Sequence, residues 1–83
     1  MEKDMIKYSV QVGAFRTQEA AMKFAQPLKT LGYPVKVIQR GQLYVVLVGE
    51  YSILAEATEA EGDLRSLGYQ TIVKEYIEKE LNY

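Results

Sequence analysis

Shifted by 36 residues, the chain meets itself. Residues 8–37 align with 44–73 without a gap, and ten of the thirty positions are identical. Tyr8 meets Tyr44, Val10 meets Val46, Val12 meets Val48 and Gly13 meets Gly49; further on, Ala21 meets Ala57, Leu28 meets Leu64 and Val37 meets Val73. The triplet Leu31-Gly32-Tyr33 returns as Leu67-Gly68-Tyr69, and Phe15/Tyr51, Lys29/Arg65 and Thr30/Ser66 are close in kind. Two copies are too few for a solenoid, which needs at least three. The units must instead close on each other inside one domain, the number that 83 residues allow. A chain of this size buries only about 60% of its unfolded surface, so the core is small.

Each unit reads strand, helix, strand. In YSVQVGAF (Tyr8 to Phe15), apolar Tyr8, Val10 and Val12 alternate with Ser9 and Gln11, the period of a strand with one buried face. The second copy, YVVLVGEY (Tyr44 to Tyr51), keeps the valines. Gly13 and Gly49 are placed to allow a bulge or a close backbone approach. In the first helix Thr17 is the expected N-cap, Glu19 lies in the first turn, where the helix dipole favours it, and Gly32 stops the helix. Ala21, Phe24, Leu28 and Leu31 form its apolar stripe, and Ala57, Ala60, Leu64 and Leu67 form that of the second helix, with Ser52 near its start and Gly68 at its end. Pro27 lacks a donor and crowds the carbonyl of Lys23; its repeat partner is Asp63, preceded by Gly62, so a kink or short break is expected there in both helices.

Between VKVIQ and QLYVVLV, Arg40-Gly41 reads as a two-residue hairpin turn. That turn sets Ile38 against Leu43, Val37 against Tyr44 and Val35 against Val46. Val35, Val37, Tyr44, Val46 and Val48 then share one face, while Lys36, Ile38, Leu43, Val45 and Leu47 share the other. The expected fold is α+β: a βαββαβ split-βαβ (ferredoxin- or RNP-like) domain with a pseudo-two-fold repeat. Its four-stranded antiparallel sheet carries both helices on one face and the two related strands at its centre. The expected boundaries are an N-terminal extension over 1–7, the domain over 8–76 with units 8–37 and 44–73, and a tail over 77–83 that reads as a short helix or as fraying residues.

Composition excludes several chemistries. Cysteine and histidine are both absent, which removes thiolate nucleophiles, imidazole bases and Cys/His zinc sites; no cofactor or metal is expected. No apolar run approaches a membrane span, and the charged start MEKDMIKY is no signal peptide. Any export signal is therefore expected in a larger parent chain. The net charge of −1 is unevenly spread: residues 1–43 hold seven Lys/Arg against three Asp/Glu, and residues 44–83 hold three against eight. The acidic surplus reads as a solvated helix face and a polar tail.

The sheet face without helices is the candidate site. It collects Ser9, Gln11 and Ala14 from the first strand and Val45 and Leu47 from the third, with Leu43 at that strand's start. Lys36 and Ile38 come from one edge, and Ile72 and Lys74 from the other, towards Tyr76. Arg40 and Arg16 stand at the rim. An exposed apolar patch with polar punctuation marks a binding surface, for a ligand, a partner domain or a second copy.

The strand VQVGAF, a helix, LGY, a hairpin and a second strand-Gly-aromatic, helix and LGY resemble the sporulation-related repeat (SPOR) domain over residues 8 to about 76. The regular repeat most resembles the version attached to N-acetylmuramoyl-L-alanine amidases. The resemblance implies a small, non-catalytic, monomeric module that binds peptidoglycan, with preference for glycan strands stripped of stem peptides. It also implies a place in the bacterial cell envelope, exported within a cell-wall hydrolase or division protein. It puts Gln11 in the groove; Ala14 stands where the family often has a hydroxyl, and Leu47 stands where a second glutamine would make the halves equivalent. The surface chemistry suits such a ligand. Gln11 can donate to and accept from an acetamide, Val45, Leu47 and Ile72 offer apolar contact, and Lys36, Arg40, Lys74 or Arg16 can pair with lactyl carboxylates.

Three other functions are compatible with parts of this pattern. An RNA-recognition module would need outward aromatics where Gln11, Val45 and Leu47 stand, and the charge of −1 attracts phosphate little. An acyl-phosphate hydrolase would need a phosphate cradle that Gly13-Ala14-Phe15-Arg16 does not supply, and nothing seats Glu50 and Glu56 as an acid pair across a groove. The alternative that survives is a dimerisation or regulatory domain, sealed face to face over Val45, Leu47 and Ile72.

Overall fold

The computed structural model describes the backbone of residues 2–81 and the side chains of residues 5–77. The order is β1 (Glu2–Phe15), α1 (Gln18–Thr30), β2 (Val35–Arg40), β3 (Leu43–Tyr51), α2 (Leu54–Ser66) and β4 (Ile72–Leu81). All strand pairs are antiparallel and the sheet order is β2-β3-β1-β4, the expected split-βαβ arrangement with the related strands β1 and β3 in the middle. The two helices begin and end 36 residues apart, so the repeat holds in three dimensions.

The core fills the helix side. Val10, Val12, Val46 and Val48 pack against Ala21, Ala25 and Leu28 of α1 and Ala60 and Leu64 of α2, with Ala57 also fully buried. Alanines at the contact let each helix lie close to the sheet. Aromatic rings then fill the flanks, Phe15 against Phe24 at 4.9 Å and Phe24 against Tyr69 at 5.6 Å, edge to face. Tyr69 belongs to the second LGY triplet and Phe24 to the first helix, so the second unit closes over the first. Tyr51 lies on this side too. Its phenol is pushed above the ordinary range by burial, then by Tyr33, Glu56 and Asp63 nearby.

The related strands do not pair regularly. The β1–β3 register slips between Gln11 and Gly13 and again between Tyr8 and Val10. In the first slip β1 holds the extra residue, Val12; in the second β3 does, at Gly49-Glu50. Gly49 has φ +73, which an L side chain resists, and the Tyr51 ring folds back over its Cα, leaving no room for a Cβ. Gly13 is covered in the same way by Phe15, yet its φ is not positive. One residue in each central strand thus bulges, and bulges strengthen the local twist.

Several expectations need correction. The hairpin turn is Gly41-Gln42, one residue later than expected, with Arg40 opposite Leu43, Val37 opposite Val46 and Val35 opposite Val48. Gly41 has φ +61 and Gln42 does not share it, the requirement of a turn with glycine at its first central position. Each partner moves by two residues, so every side chain keeps its predicted face; a slip of one would have inverted them all. Neither helix breaks: α1 runs through exposed Pro27 and α2 through Gly62 and Asp63. Thr17 caps α1, its hydroxyl accepting from the Ala20 amide at 3.1 Å, but the N-cap of α2 is Ile53, with no side-chain bond. Ser52 instead accepts from Lys7 Nζ at 3.0 Å. The apolar stripes also end early. Ala25 replaces Phe24 at the fully buried position, and Leu31 and Leu67 are exposed beside Gly32 to Pro34.

Residues 2–7 and 77–81 are strand, not extension and tail, since Glu2 to Lys7 pair with Tyr76 to Leu81 as a two-stranded ribbon. Met1, Asn82 and Tyr83 lie outside the described residues. The second unit holds a polar staple where the first is apolar. Thr71 Oγ1 donates to Glu61 at 2.8 Å and accepts from Arg65 Nε at 2.7 Å, and Arg65 Nη2 reaches Glu61 at 3.2 Å. The Glu61 side chain is only 12% exposed, so it needs those donors.

Two stability measurements check this account. In urea denaturation, Gly49→Ala is expected to lose roughly 2–4 kcal/mol and Gly13→Ala roughly 1–2, because only Gly49 combines a crowded Cβ with a left-handed φ. Equal losses would show that the bulge at Gly49 imposes no conformational demand. Thr71→Val is expected to lose about 1–2 kcal/mol by leaving Glu61 short of a donor.

Candidate functional site

The open face is not flat. Its central row is Lys36, Leu47, Gln11 and Ile72, read across β2, β3, β1 and β4. The next row on one side joins Ser9 to Lys74; on the other, Val45 lies between Ile38 and Ala14. Although no helix covers this side, Val45 and Leu47 are only 5% and 8% exposed. Leu47 forms the floor of a depression whose walls are longer neighbouring side chains, and Val45 lies beside it on the same face.

Two hollows open on that floor. One, of about 130 Å³, is lined by Ser9, Lys36, Ile38, Arg40, Leu47, Gly49 and Tyr76. The other, of about 110 Å³, is lined by Gln11, Arg40, Leu47, Lys74, Glu75 and Tyr76. Arg40, Leu47 and Tyr76 belong to both. Ser9 is 2% exposed, and its hydroxyl donates its one proton to the Gly49 carbonyl at 2.7 Å, with the Val48 carbonyl at 3.3 Å. It ties the floor of the first hollow to the β3 bulge. Lys36 Nζ lies 3.8 Å from Glu50 at the exposed rim.

Of the residues singled out from sequence, the fold brings Ser9, Gln11, Lys36, Ile38, Arg40, Leu47 and Lys74 to these hollows. Ala14, Val45 and Ile72 lie on the same face outside their lining, Ala14 and Ile72 exposed. Arg16 stands apart, with Gln42 and Leu43 at a separate hollow. Tyr76, towards which the face was expected to run, and Glu75, which was not singled out, complete the walls. Alternation along β4 identifies Tyr76, which pairs with Lys7 on the open side. It gives no signal for Glu75, whose partner Tyr8 falls on the helix side by the same alternation.

The described residues hold no group of three or more His, Cys, Asp or Glu able to bind a metal, and no helix long and apolar enough to cross a membrane. A split-βαβ sheet with one face packed and the other sunken and ringed by mixed polar and cationic groups defines a small ligand-binding module. The chain belongs to the SPOR domain family, whose model matches residues 5–75. Among solved structures it is similar to the peptidoglycan binding domain of the B. subtilis cell wall lytic enzyme CwlC, with TM-score 0.77 and 27% identity over 86% of this chain and 90% of that one. It is also similar to the Spor protein DedD, with TM-score 0.67 and 25% identity over 84% of this chain but only 39% of that one. No curated protein sequence matches at a significant level.

One measurement tests how the floor is held. Ser9→Ala is expected to lower the unfolding free energy by about 1 kcal/mol in urea titration, the value of a hydrogen bond to an otherwise covered carbonyl. No change would mean that the hydroxyl does not brace the bulge.

Proposed function

We propose that this domain is a non-catalytic peptidoglycan-binding module that holds glycan strands in the depression of the open sheet face. Family membership and the likeness to the CwlC domain support the ligand class. The observation that carries the location is the sunken floor, where Gln11 sits beside Leu47 with Arg40 and Lys74 within the same hollow. A peptide-free strand offers acetamides and lactyl carboxylates. A primary amide, an apolar floor and two cations, which outnumber the one carboxylate of Glu75 in that hollow, are the complements of those groups. A stem peptide would replace the free carboxylate with a bulky amide, so strands denuded of peptides are the preferred form.

The module acts as a monomer in the bacterial cell envelope, exported within a longer protein and directing a cell-wall hydrolase or division protein to its substrate. The face-to-face dimer has less support. Of the three residues that would seal it, Val45 and Leu47 are already buried within one chain, and Ile72 alone is exposed.

Co-sedimentation with bacterial sacculi, before and after an amidase has removed stem peptides, is the test. Binding is expected to rise on the denuded walls, and Gln11→Ala, with an unchanged circular dichroism spectrum, is expected to bind roughly tenfold more weakly. Failure of the wild-type domain to bind either wall would sink the reading.

A further inference from the structure

The two helices leave a groove between them, on the side of the sheet away from the open face. No Cα of α1 comes within 8 Å of one of α2. With Ala57, Ala60 and Leu64 turned to the sheet, the helical period puts Glu61 and Arg65 on one flank of α2, where they meet Thr71 ahead of β4. Glu56, Asp63 and Leu67 fall on the other flank, towards α1. By the same count Ala20, Phe24, Pro27 and Leu31 line the flank of α1 that faces α2, and Phe24 reaches Tyr69 of the second unit. Tyr51 senses both walls. Its phenol is raised first by burial and then by Tyr33, Glu56 and Asp63, so these groups share one region.

At the helix ends, Leu31, Gly32, Tyr33 and Pro34 enclose with Leu67 a hollow of about 300 Å³. Leu31 and Leu67 are equivalent in the repeat and identical, yet they are 61% and 50% exposed, so the core does not account for them. Large apolar side chains exposed around a hollow mark an interaction surface. The two walls are unlike. The α1 wall is apolar throughout, whereas the α2 wall sets Glu56 and Asp63 beside Leu67. Neither acid takes part in an ion pair among the described residues, where Glu61 holds Arg65 and Glu50 holds Lys36. No lysine or arginine of either helix falls on these flanks.

We propose that this groove seats an amphipathic helix of a partner protein, its apolar ridge set between Leu31 and Leu67 and its lysine or arginine residues facing Glu56 and Asp63. Both walls are helices whose backbone groups are bonded internally, so an added strand finds nothing to pair with and recognition falls to side-chain anchors. The acids select cationic residues on one flank of the ridge, and such complementarity fixes the partner and its orientation more than it adds affinity. An anionic membrane is repelled by the same acids, together with exposed Glu59. A second copy has no cation on its own groove flanks to meet them. The groove lies across the sheet from Gln11 and Leu47, so a partner here and a ligand on the open face do not compete.

Amide chemical-shift mapping on the whole domain tests this, with two synthetic helical peptides of about four turns as probes. One carries leucines at helical spacing and lysines along one flank; the other has glutamate in place of each lysine. The lysine peptide is expected to shift amides at residues 24–34 and 56–69 and to leave 36–40 and 72–76 unmoved. The glutamate peptide is expected to shift none. Leu31→Ser combined with Leu67→Ser is expected to weaken binding about tenfold or more, the effect of losing two anchors, while sedimentation with sacculi stays as in wild type. Glu56→Gln combined with Asp63→Asn is expected to weaken it about three- to tenfold at low salt and to flatten its salt dependence. All four side chains are exposed, and circular dichroism checks that each variant is folded. Should the serine variant misfold, the amide variant carries the comparison. No shift with the lysine peptide, shifts confined to the open face, equal binding of the two peptides, or wild-type affinity in a folded variant would each overturn the proposal. Binding of wild type to anionic vesicles through residues 24–34 and 56–69, or self-association that the leucine variant abolishes, would also overturn it and assign the groove to a membrane or to a second copy.

Discussion

Four valines, Val10, Val12, Val46 and Val48, packed under two helices through alanines, set the spacing on which everything else in the molecule depends. The alanines bring the helices down onto the centre of the sheet, and the large aromatic rings are pushed to its flanks. Phe15 and Tyr51 must then turn back over their own strands, and they can do so only above Gly13 and Gly49. The glycine two residues before each aromatic is thus part of the packing of the core. At Gly49 the backbone also bulges, and the bulge is held from the other side by Ser9. Packing on one face and curvature on the other are the same event seen from two sides.

The duplication separates these demands. On the helix side, the residues at the centre of the core are the same in both units: Val10 and Val46, Val12 and Val48, Leu28 and Leu64. On the open side they differ at every central position: Ser9 and Val45, Gln11 and Leu47, Lys36 and Ile72, Ile38 and Lys74, Arg40 and Tyr76. Each pair sets a polar or charged group against an apolar or aromatic one. Burial against a helix admits few solutions for a given volume, so both units arrive at the same one. A surface that meets no helix is free of that restriction.

The sequence carried the architecture because two periods reinforced each other: alternation within strands and the repeat of 36 between units. Face assignment survived even a misplaced turn, since the error at Arg40-Gly41 moved partners by an even number of residues. Helix interiors were overread. Pro27 and Gly62 carry breaking propensities, but α1 and α2 are anchored at Ala21, Leu28, Ala60 and Leu64, and tertiary packing holds the helices straight through them. The ends of β1 and β4 were underread for a different reason. Residues 2–7 and 77–81 are charged at many positions and gain order by pairing with each other across the whole length of the chain, a contact that no local pattern reports. The candidate site was legible as a set of residues on one face. Its depth was not, because alternation assigns a side chain to a face and says nothing of how far longer neighbours such as Arg40 and Tyr76 rise around Leu47.

A two-fold arrangement of strands whose equivalent open-side positions are unlike has a front and a back. Turn the domain by half a revolution about its axis and helix falls on helix and strand on strand, while Gln11 lands on Leu47 and Arg40 on Tyr76. An extended chain laid along this face would meet one series of groups when running one way and a different series when reversed. The side chains therefore confer a sense of travel on a scaffold whose order of elements has none.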